Sequence, residues 1–248
     1  MMHVINDAEL GKSFQIKVLD KGYVRLIDFM GGDEDIIRAA RVSYDKDART
    51  GIDAEKDRKL LEFLYDNHHT TPFEAVEFKF EVKAPIFVVR QWHRHRTWSY
   101  NEVSARYTAL EDDFYVPDPA IIGAQSLRNK QGRNLNQDYD RTSAELAASA
   151  IKMSCERAFE VYNNLLMQGT PRELARTVLP TATYTRMVAK VDLHNLMHFF
   201  RLRCHEHAQW EIQQYAYAMM GLVGPIVPWT MRKFKLELTH SSGYKSLL

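Results

Sequence analysis

The sequence predicts an α+β protein with a mostly antiparallel sheet, and three observations carry that prediction. Two β-rich runs, Phe14 to Val18 and Tyr23 to Ile27, flank Asp20-Lys21-Gly22, the composition of a hairpin with glycine at a positive-φ position. Val76, Phe78, Phe80 and Val82 alternate with Glu77, Lys79, Glu81 and Lys83, so Ala75 to Lys83 reads as a strand with one buried and one solvated face. Strands and helices are mixed without a regular βαβ alternation, which points to α+β with a mostly antiparallel sheet.

The elements follow in order. After the hairpin, Asp33 to Arg41 forms a short helix, and a loop rich in Asp, Lys and Arg leads to a second helix over Asp57 to Tyr65. Behind the strand, Pro85 stands in the first turn of a helix, where its missing N–H is harmless. Phe87, Gln91 and Arg94 then share one stripe at i, i+4 and i+7, aiming two polar groups the same way. Pro117 to Tyr139 is polar and aperiodic, an unusually long surface loop. Ser143 to Gln168 is helical, with Ala147, Ile151, Cys155, Ala158, Tyr162 and Leu165 on one face and Gly169 as the stop. Thr170-Pro171-Arg172-Glu173 restarts a helix with a capping-box pattern. Thr181 to Val191 is a strand, followed by helices over Leu193 to Arg203 and His207 to Leu222; the latter aligns Ala208, Ile212, Tyr215, Met219 and Leu222. With no repeat, low-complexity tract or linker-like shift in composition, residues 1–248 are expected to form a single domain.

Composition narrows the function classes. Lys plus Arg number 33 against 32 Asp plus Glu, so no global field marks a nucleic-acid or membrane-surface protein. The two cysteines, Cys155 and Cys204, lie far apart, which argues against a disulfide framework and suits a reducing cytoplasm. The opening MMHVINDAEL lacks the pattern of a secretory signal, and the most apolar stretch, Met219 to Trp229, is too short to span a bilayer. A cytoplasmic protein with no membrane or nucleic-acid partner is expected. None of the 11 glycines falls in GxGxxG or GxxxxGK[ST], so a nucleotide or dinucleotide must be held by something other than a glycine-rich phosphate loop.

The densest polar cluster runs from Arg94 to Tyr107: Arg-His-Arg-Thr-Trp-Ser-Tyr-Asn-Glu-Val-Ser-Ala-Arg-Tyr. Guanidinium forks suit phosphate and carboxylate oxygens, Ser and Asn can read the edge of a heterocycle, and Trp and Tyr offer faces for stacking. This inventory fits a bound nucleotide or dinucleotide better than a metal or an acyl group. The blander reading is a solvated basic loop with a few salt bridges.

The spacing sharpens the choice. Arg94-His95-Arg96, seven residues, then Ser104 resembles the signature of flavin-dependent thymidylate synthases, with Asn101, Glu102 and Arg106 at matching places. His69-Thr70-Thr71-Pro72-Phe73-Glu74, Ala84 to Gln91, Ala175 to Pro180, Leu202-Arg203 and His207 to Glu211 also resemble segments of that family, in family order from Arg41-Val42-Ser43 to Trp210-Glu211. The resemblance implies that fold and a reductive methylation of deoxyuridine monophosphate (dUMP) to thymidine monophosphate (dTMP). Its carbon would come from 5,10-methylenetetrahydrofolate and its hydride from FAD reduced by NADPH, in a homotetramer whose subunits share sites. Such a flavin site built from arginine and histidine side chains agrees with the missing glycine loop. Neither cysteine has a nucleophile-like setting, since Cys155 sits on an apolar helix stripe.

Position by position, the resemblance assigns the nucleotide to Gln91, Arg94, Glu102, Ser104, Ala105, Arg106, Arg176 and Arg203. It assigns FAD to Ser43, Thr71, Glu74, Arg94, His95, Arg96 and Glu102. Arg203 is the catalytic position, a guanidinium that stabilises negative charge on the pyrimidine ring and makes C5 more nucleophilic without a covalent adduct. Ser104 has no evident base in sequence, so a hydrogen-bonding role is preferred to a nucleophilic one. Where many members carry Asn and Arg, this chain has Asp192, His194 and His198, which are assigned to FAD as well. Two other readings compete. His194 and His198, at i and i+4 with Cys204, His205, Glu206 and His207 close behind, could hold zinc or iron in a metal-dependent hydrolase, though no second ligand set completes the coordination. The Arg94 to Tyr107 cluster could serve a nucleic-acid-binding module, against which the balanced charge counts.

Overall fold

The computed structural model describes residues 14–43, 53–127, 130–134 and 139–244. The segment MMHVINDAEL, the polar loop at 44–52, and residues 128–129 and 135–138 of the long loop lie outside the described residues. Five strands form one antiparallel sheet, in the order β1 (Gln15–Val18), β2 (Gly22–Met30), β3 (Glu77–Pro85), β7 (Tyr184–Asp192) and β4 (Ser99–Glu102). Two short strands, β5 (Ala124–Gln125) and β6 (Arg133–Asn134), pair by themselves. Helices α1 (Asp33–Val42), α2 (Ala54–Asp66), α3 (Ile86–Trp92), α4 (Arg141–Met167), α5 (Arg172–Ala175), α6 (Leu193–Arg203), α7 (Trp210–Val223) and α8 (Pro228–His240) complete the α+β architecture.

The alternation read in the central strand sets the inner face. Val76, Phe78, Phe80 and Val82 are fully buried, and between them Glu81 is gripped on the outer face by Tyr23 and Arg25 while Glu77 accepts from Lys190 at 2.8 Å. The strand starts two residues later than predicted because Thr71–Ala75 winds into a 3₁₀ turn around Pro72. That turn packs against α1 and α6, and the Leu193 amide donates to the Val76 carbonyl at 2.8 Å. The inner face is covered by α6 and α7, whose Leu196, Phe199, Phe200, Ile212, Tyr215 and Met219 are all fully buried.

Several local expectations give way to tertiary packing. In the β1–β2 hairpin the positive φ belongs to Leu19 (60°), not to Gly22. Gly22 is required for a different reason: a Cβ there would overlap the Tyr215 hydroxyl and lie 2.7 Å from the carbonyl oxygens of Lys83 and Val18. Pro85 ends β3 and caps α3 rather than sitting in its first turn. The stripe from Phe87 does not reach Arg94, because α3 stops at Trp92. The fully buried Trp92 ring stacks on Phe199 at 5.0 Å, and the Tyr100 hydroxyl donates to the carbonyls of Trp92 (3.1 Å) and His95 (2.9 Å).

In α4 the buried set is Ala144, Ala148, Cys155, Phe159 and Tyr162, so the face is rotated from the predicted one and Ile151 is exposed. The helix packs on a small satellite core with Phe114 and Ala175 instead of on the sheet. Gly169 does end it, at φ 80°. No capping box forms at Thr170; Pro171 precedes α5 and no side chain caps it. The predicted strand at Thr181 begins at Tyr184, and the helix predicted from His207 begins at Trp210. The long polar loop contains a 3₁₀ turn at Pro119–Ile121 and the β5–β6 pair. Strand β4 and helix α8 go beyond the predicted elements. Both cysteines are free and buried, and burial pushes their thiols up, Cys204 to about 12.

Candidate active site

Arg203, the last residue of α6, lies at the centre of the cluster. Its Nε donates to His95 Nε2 at 3.0 Å and its Nη2 donates to the Gln91 carbonyl at 3.0 Å. Arginine has only donors, so His95 must accept through Nε2 and carry its proton on Nδ1. The ring is buried, edge-on to Phe199 at 4.9 Å, with His198 6.1 Å away. Burial, then the Arg203 charge and His198, push the His95 pKa down to about 4, so the imidazole is neutral at neutral pH. Both partners of Arg203 are therefore uncharged, and its cation is not neutralised by a carboxylate among the described residues. Burial and the neighbouring Arg94 lower its pKa from the ordinary value, without making an arginine neutral.

The residues predicted for the site fall into three groups. Around Arg203 stand His95, Arg94, His198 and Gln91, the last with its amide Nε2 donating to Gln209 Oε1 at 2.6 Å. A second group gathers at the turn after β4. The Arg106 amide donates to Ser104 Oγ at 3.3 Å, and the carbonyl of Ser104 accepts from the amides of Tyr107 and Thr108, which makes a compact turn with Ala105 inside it. This turn docks on α5, where Arg106 meets Glu173 at 3.4 Å and Arg172 donates to the Tyr107 carbonyl at 3.2 Å; exposed Arg176 follows directly after α5. Just before the turn, Glu102 accepts from Thr185 Oγ1 at 2.8 Å. Among the described residues no hydrogen bond or ion pair links the Arg203 group to the Ser104 group.

The third group is set by the packing of the Thr71–Ala75 turn on α1 and α6. Thr71 and Glu74 are exposed on that turn, Ser43 follows the end of α1, and His194 and His198 lie one turn apart on α6. Burial, then Arg201 and His194, lower the His198 pKa. Asp192 caps α6, accepting from the Asn195 amide at 2.9 Å and from Asn195 Nδ2 at 2.7 Å. Among the described residues no three His, Cys, Asp or Glu side chains gather as a metal-ion site. Arg94 and Arg96 are exposed and face no carboxylate among the described residues.

Three positions that hold these groups were not among those predicted: Gln209 on Gln91, Thr185 on Glu102, and Phe199 behind His95. Gln209 lies inside the His207 to Glu211 segment, so a signal existed; Thr185 and Phe199 look like ordinary strand and core residues. A separate cavity of about 870 Å³ opens between the β1–β2 turn, the loop at 115–121 and α7, lined by Ile16, Asp20, Tyr115, Trp210 and Tyr217 among others. None of the predicted site residues lines it.

Residues 25–229 match the family model described as "Thymidylate synthase complementing protein". A flavin-dependent thymidylate synthase of Ehrlichia ruminantium (strain Gardel) is 44% identical over 228 residues, 92% of this chain and 75% of the relative. Those of Thermus thermophilus and Thermosipho africanus are 46% and 45% identical, over 92% and 89% of this chain and 80% and 93% of their own lengths. Among solved structures, a UMP/dUMP methylase PolB from Streptomyces cacaoi bound with 5-Br dUMP superposes with a TM-score of 0.78 at 34% identity, covering 89% of this chain and 97% of that one.

Proposed function

The chain belongs to the flavin-dependent thymidylate synthase family, and from that premise we propose that the cluster around Arg203 is where it methylates dUMP to dTMP. The enzyme is a methyltransferase that uses 5,10-methylenetetrahydrofolate and NADPH as co-substrates and FAD as cofactor. FAD, when bound and reduced by NADPH, supplies the hydride. Family membership disfavours both the metal-dependent hydrolase and the nucleic-acid-binding module.

One observation carries the assignment of the site: Arg203 is held in place by two neutral acceptors, His95 Nε2 and the Gln91 carbonyl. A carboxylate partner would fix the guanidinium and also cancel its charge. Neutral acceptors fix it and leave the charge for a ligand, and the rest of its fork, Nη1 included, has no protein partner among the described residues. Such a preorganised cation at the edge of a pyrimidine stabilises negative charge developing on the ring, so C5 can attack without a covalent enzyme adduct. Arg94 and Arg176 supply further unneutralised donors for the nucleotide. The Ser104 oxygen accepts from the Arg106 amide, which leaves its O–H to donate outward, and with Ala105 and Arg106 it offers a rigid turn for the ligand. No base lies against Ser104 Oγ among the described residues, in keeping with a binding role.

The residues present fit FAD. The guanidinia of Arg94 and Arg96, unpartnered among the described residues, suit a pyrophosphate; the exposed His198 ring suits stacking, and the buried, neutral His95 keeps its Nδ1–H as a donor without adding charge. Ser43, Thr71, Glu74, Glu102 and His194 complete the set, with Asp192 acting through the cap of α6. Two features support a homotetramer with shared sites. Among the described residues the Arg203 and Ser104 groups do not bond to one another, and α4 exposes Leu146 (66%), Met153 (64%) and Met167 (78%), apolar surface suited to a second copy. Residues 1–248 are taken as one catalytic domain. The enzyme is taken as cytoplasmic, supported by the two buried free thiols; no helix among the described residues is long and apolar enough to cross a membrane.

The test is Arg203→Lys, which keeps the charge and loses the planar fork. Methylation of dUMP should fall by roughly 10²–10³, the loss of about 2.7–4 kcal/mol typical for one preorganised donor. Reduction of bound flavin by NADPH without nucleotide should stay near the wild-type rate. Normal methylation in this variant would remove Arg203 from the chemistry, and an equal collapse of both half-reactions would make it a structural or flavin residue.

A further inference from the structure

Arg203 sits where α6 ends, a place where a chain normally frays because the last carbonyls of a helix lack intrahelical partners. Here the end is held from outside by the C-terminal segment. Tyr244 Oη donates to the Arg201 carbonyl at 2.8 Å, and the Glu206 amide donates to the Gly243 carbonyl at 2.8 Å, so the segment is bonded on both sides of Arg203. The Tyr244 ring meets His205 edge-on at 5.1 Å. Gly243 has φ 90°, a conformation that favours glycine, and the His205 ring occupies the space its Cβ would take, so any larger residue is strained there and pushes against that ring. From α7, Tyr217 Oη donates to the Cys204 carbonyl at 3.0 Å.

Helix α8 anchors this segment. Successive helical residues are about 100° apart, so Arg201 and Arg203 point to opposite sides of α6. Arg201 turns toward α8, where its Nε and Nη2 bond both oxygens of Glu237 at 2.8 and 2.9 Å and its guanidinium lies over Phe234, 5.1 Å from the ring centre. Glu237 also accepts from Tyr65 on α2. The side chain of Arg201 is thus held by α8 and its carbonyl by Tyr244, while the side chain of Arg203 faces His95 and Gln91. Residues 230–244 lie beyond the stretch that matches the family model.

We infer that Gly243 and Tyr244 are positioning residues for the methylation step: they strap the turn at residues 201–206 so that Arg203 keeps its fork aimed at the pyrimidine. This rests on the role given to Arg203 above. The strap acts on the backbone that carries Arg203, and among the described residues its hydrogen bonds and ring contact go to Arg201, His205 and Glu206, outside the side chains proposed to bind nucleotide or flavin.

The test uses the full-length flavin-loaded enzyme and two variants. Tyr244→Phe removes the bond to the Arg201 carbonyl and keeps the ring against His205. Gly243→Ala forces the segment and the His205 ring apart. Each should slow single-turnover methylation of dUMP by tenfold to a hundredfold, the order expected when a reacting group is displaced by up to about 1 Å. Flavin reduction by NADPH should change little in either variant; the thermal midpoint should hold in Tyr244→Phe and drop in Gly243→Ala, which places a Cβ at positive φ. A general structural defect would add its loss to that of Arg203→Lys, so each change is also made in that background, where no further slowing is expected if the strap works through Arg203. Wild-type methylation in Tyr244→Phe and Gly243→Ala, or additive losses in the double variants, overturns the strap. Should Gly243→Ala fail to fold, Tyr244→Phe decides alone. Full methylation by Arg203→Lys itself would instead sink the reading of the site, a result distinct from failure of the strap.

Discussion

Acidification should destabilise the protein through His95 well before the carboxylates titrate. Folded, the ring is 6% exposed, bonded to a cation through Nε2 and close to His198, and its pKa is pushed down from 6.5 to about 4. Unfolded, it recovers a value near 6.5. Between those values the unfolded chain binds one proton more than the folded one, so stability falls as pH falls, by about 1.4 kcal/mol per unit at the steepest. Above pH 6.5 and below about 4 the contribution of His95 is flat. Over the full window the loss comes to about 3 kcal/mol, a large share of the ~5–15 kcal/mol that holds a typical domain folded. The assay is urea unfolding of wild type and His95→Phe from about pH 7 to about pH 5, above the range where most carboxylates protonate. The wild-type curve should drop more steeply, and the ring nitrogens should report an Nδ1–H tautomer by NMR. Parallel stability curves, or a His95 ring that titrates near 6.5, would refute the neutral-acceptor argument.

Two further outcomes follow from packing. Gly22→Ala should destabilise by ~3 kcal/mol, the upper end of overpacking, because two of the three atoms its Cβ meets are backbone carbonyls that cannot step aside; a thermal midpoint equal to wild type would contradict it. Arg133→Met should cost about 3–5 kcal/mol in urea unfolding, since Glu211, 3% exposed, would lose its cation and keep, among the described residues, the Tyr115 hydroxyl at 3.1 Å. Adding Glu211→Leu should recover much of that loss, and a further drop in the double variant would argue against a stranded charge.

The parts of the fold legible in the sequence are those where one face is buried and the other wet. Val76 to Lys83 alternates cleanly because β3 is central and half-solvated, and Leu193 to Arg203 matches α6 end to end because its cap, Asp192, and its apolar face agree. Strand β4 was illegible for the opposite reason. It pairs with β7 along one edge and most of its residues are exposed, so no burial imposes a period on Ser99 to Glu102. Helix α8 had signals in Pro228, Phe234 and Leu238, but Thr230 at its buried start reads as polar. Its burial makes sense only once Asp33, at the start of α1, is seen accepting from the Thr230 hydroxyl at 2.6 Å and the Trp229 amide at 2.7 Å. The same holds for the site. Residue types and spacing single out Arg94 to Arg106 as the candidate ligand-binding segment, whereas the hold of His95 on Arg203 spans 108 positions and exists only in the fold.

That hold also explains how one chain can use arginine for two opposite purposes. Arg25, Arg133 and Arg201 each face a glutamate, Glu81, Glu211 and Glu237, within the protein. Their charges are spent in the fold: they lock β2 to β3, the β6 strand to α7, and α6 to α8. Arg203 makes hydrogen bonds of ordinary length, yet to groups that carry no charge, so the bonds orient it without neutralising it. A histidine can serve as that acceptor only while neutral, and burial beside a guanidinium is what keeps it so. The depressed pKa of His95 and the available charge of Arg203 are therefore two sides of one arrangement. Replacing His95 by a carboxylate would tighten the contact and remove the electrostatic reason for Arg203 to face a pyrimidine. Arg106, paired with Glu173 with both side chains just over half exposed, lies between these extremes, since an exposed pair contributes little and separates readily when an anionic ligand competes for the fork.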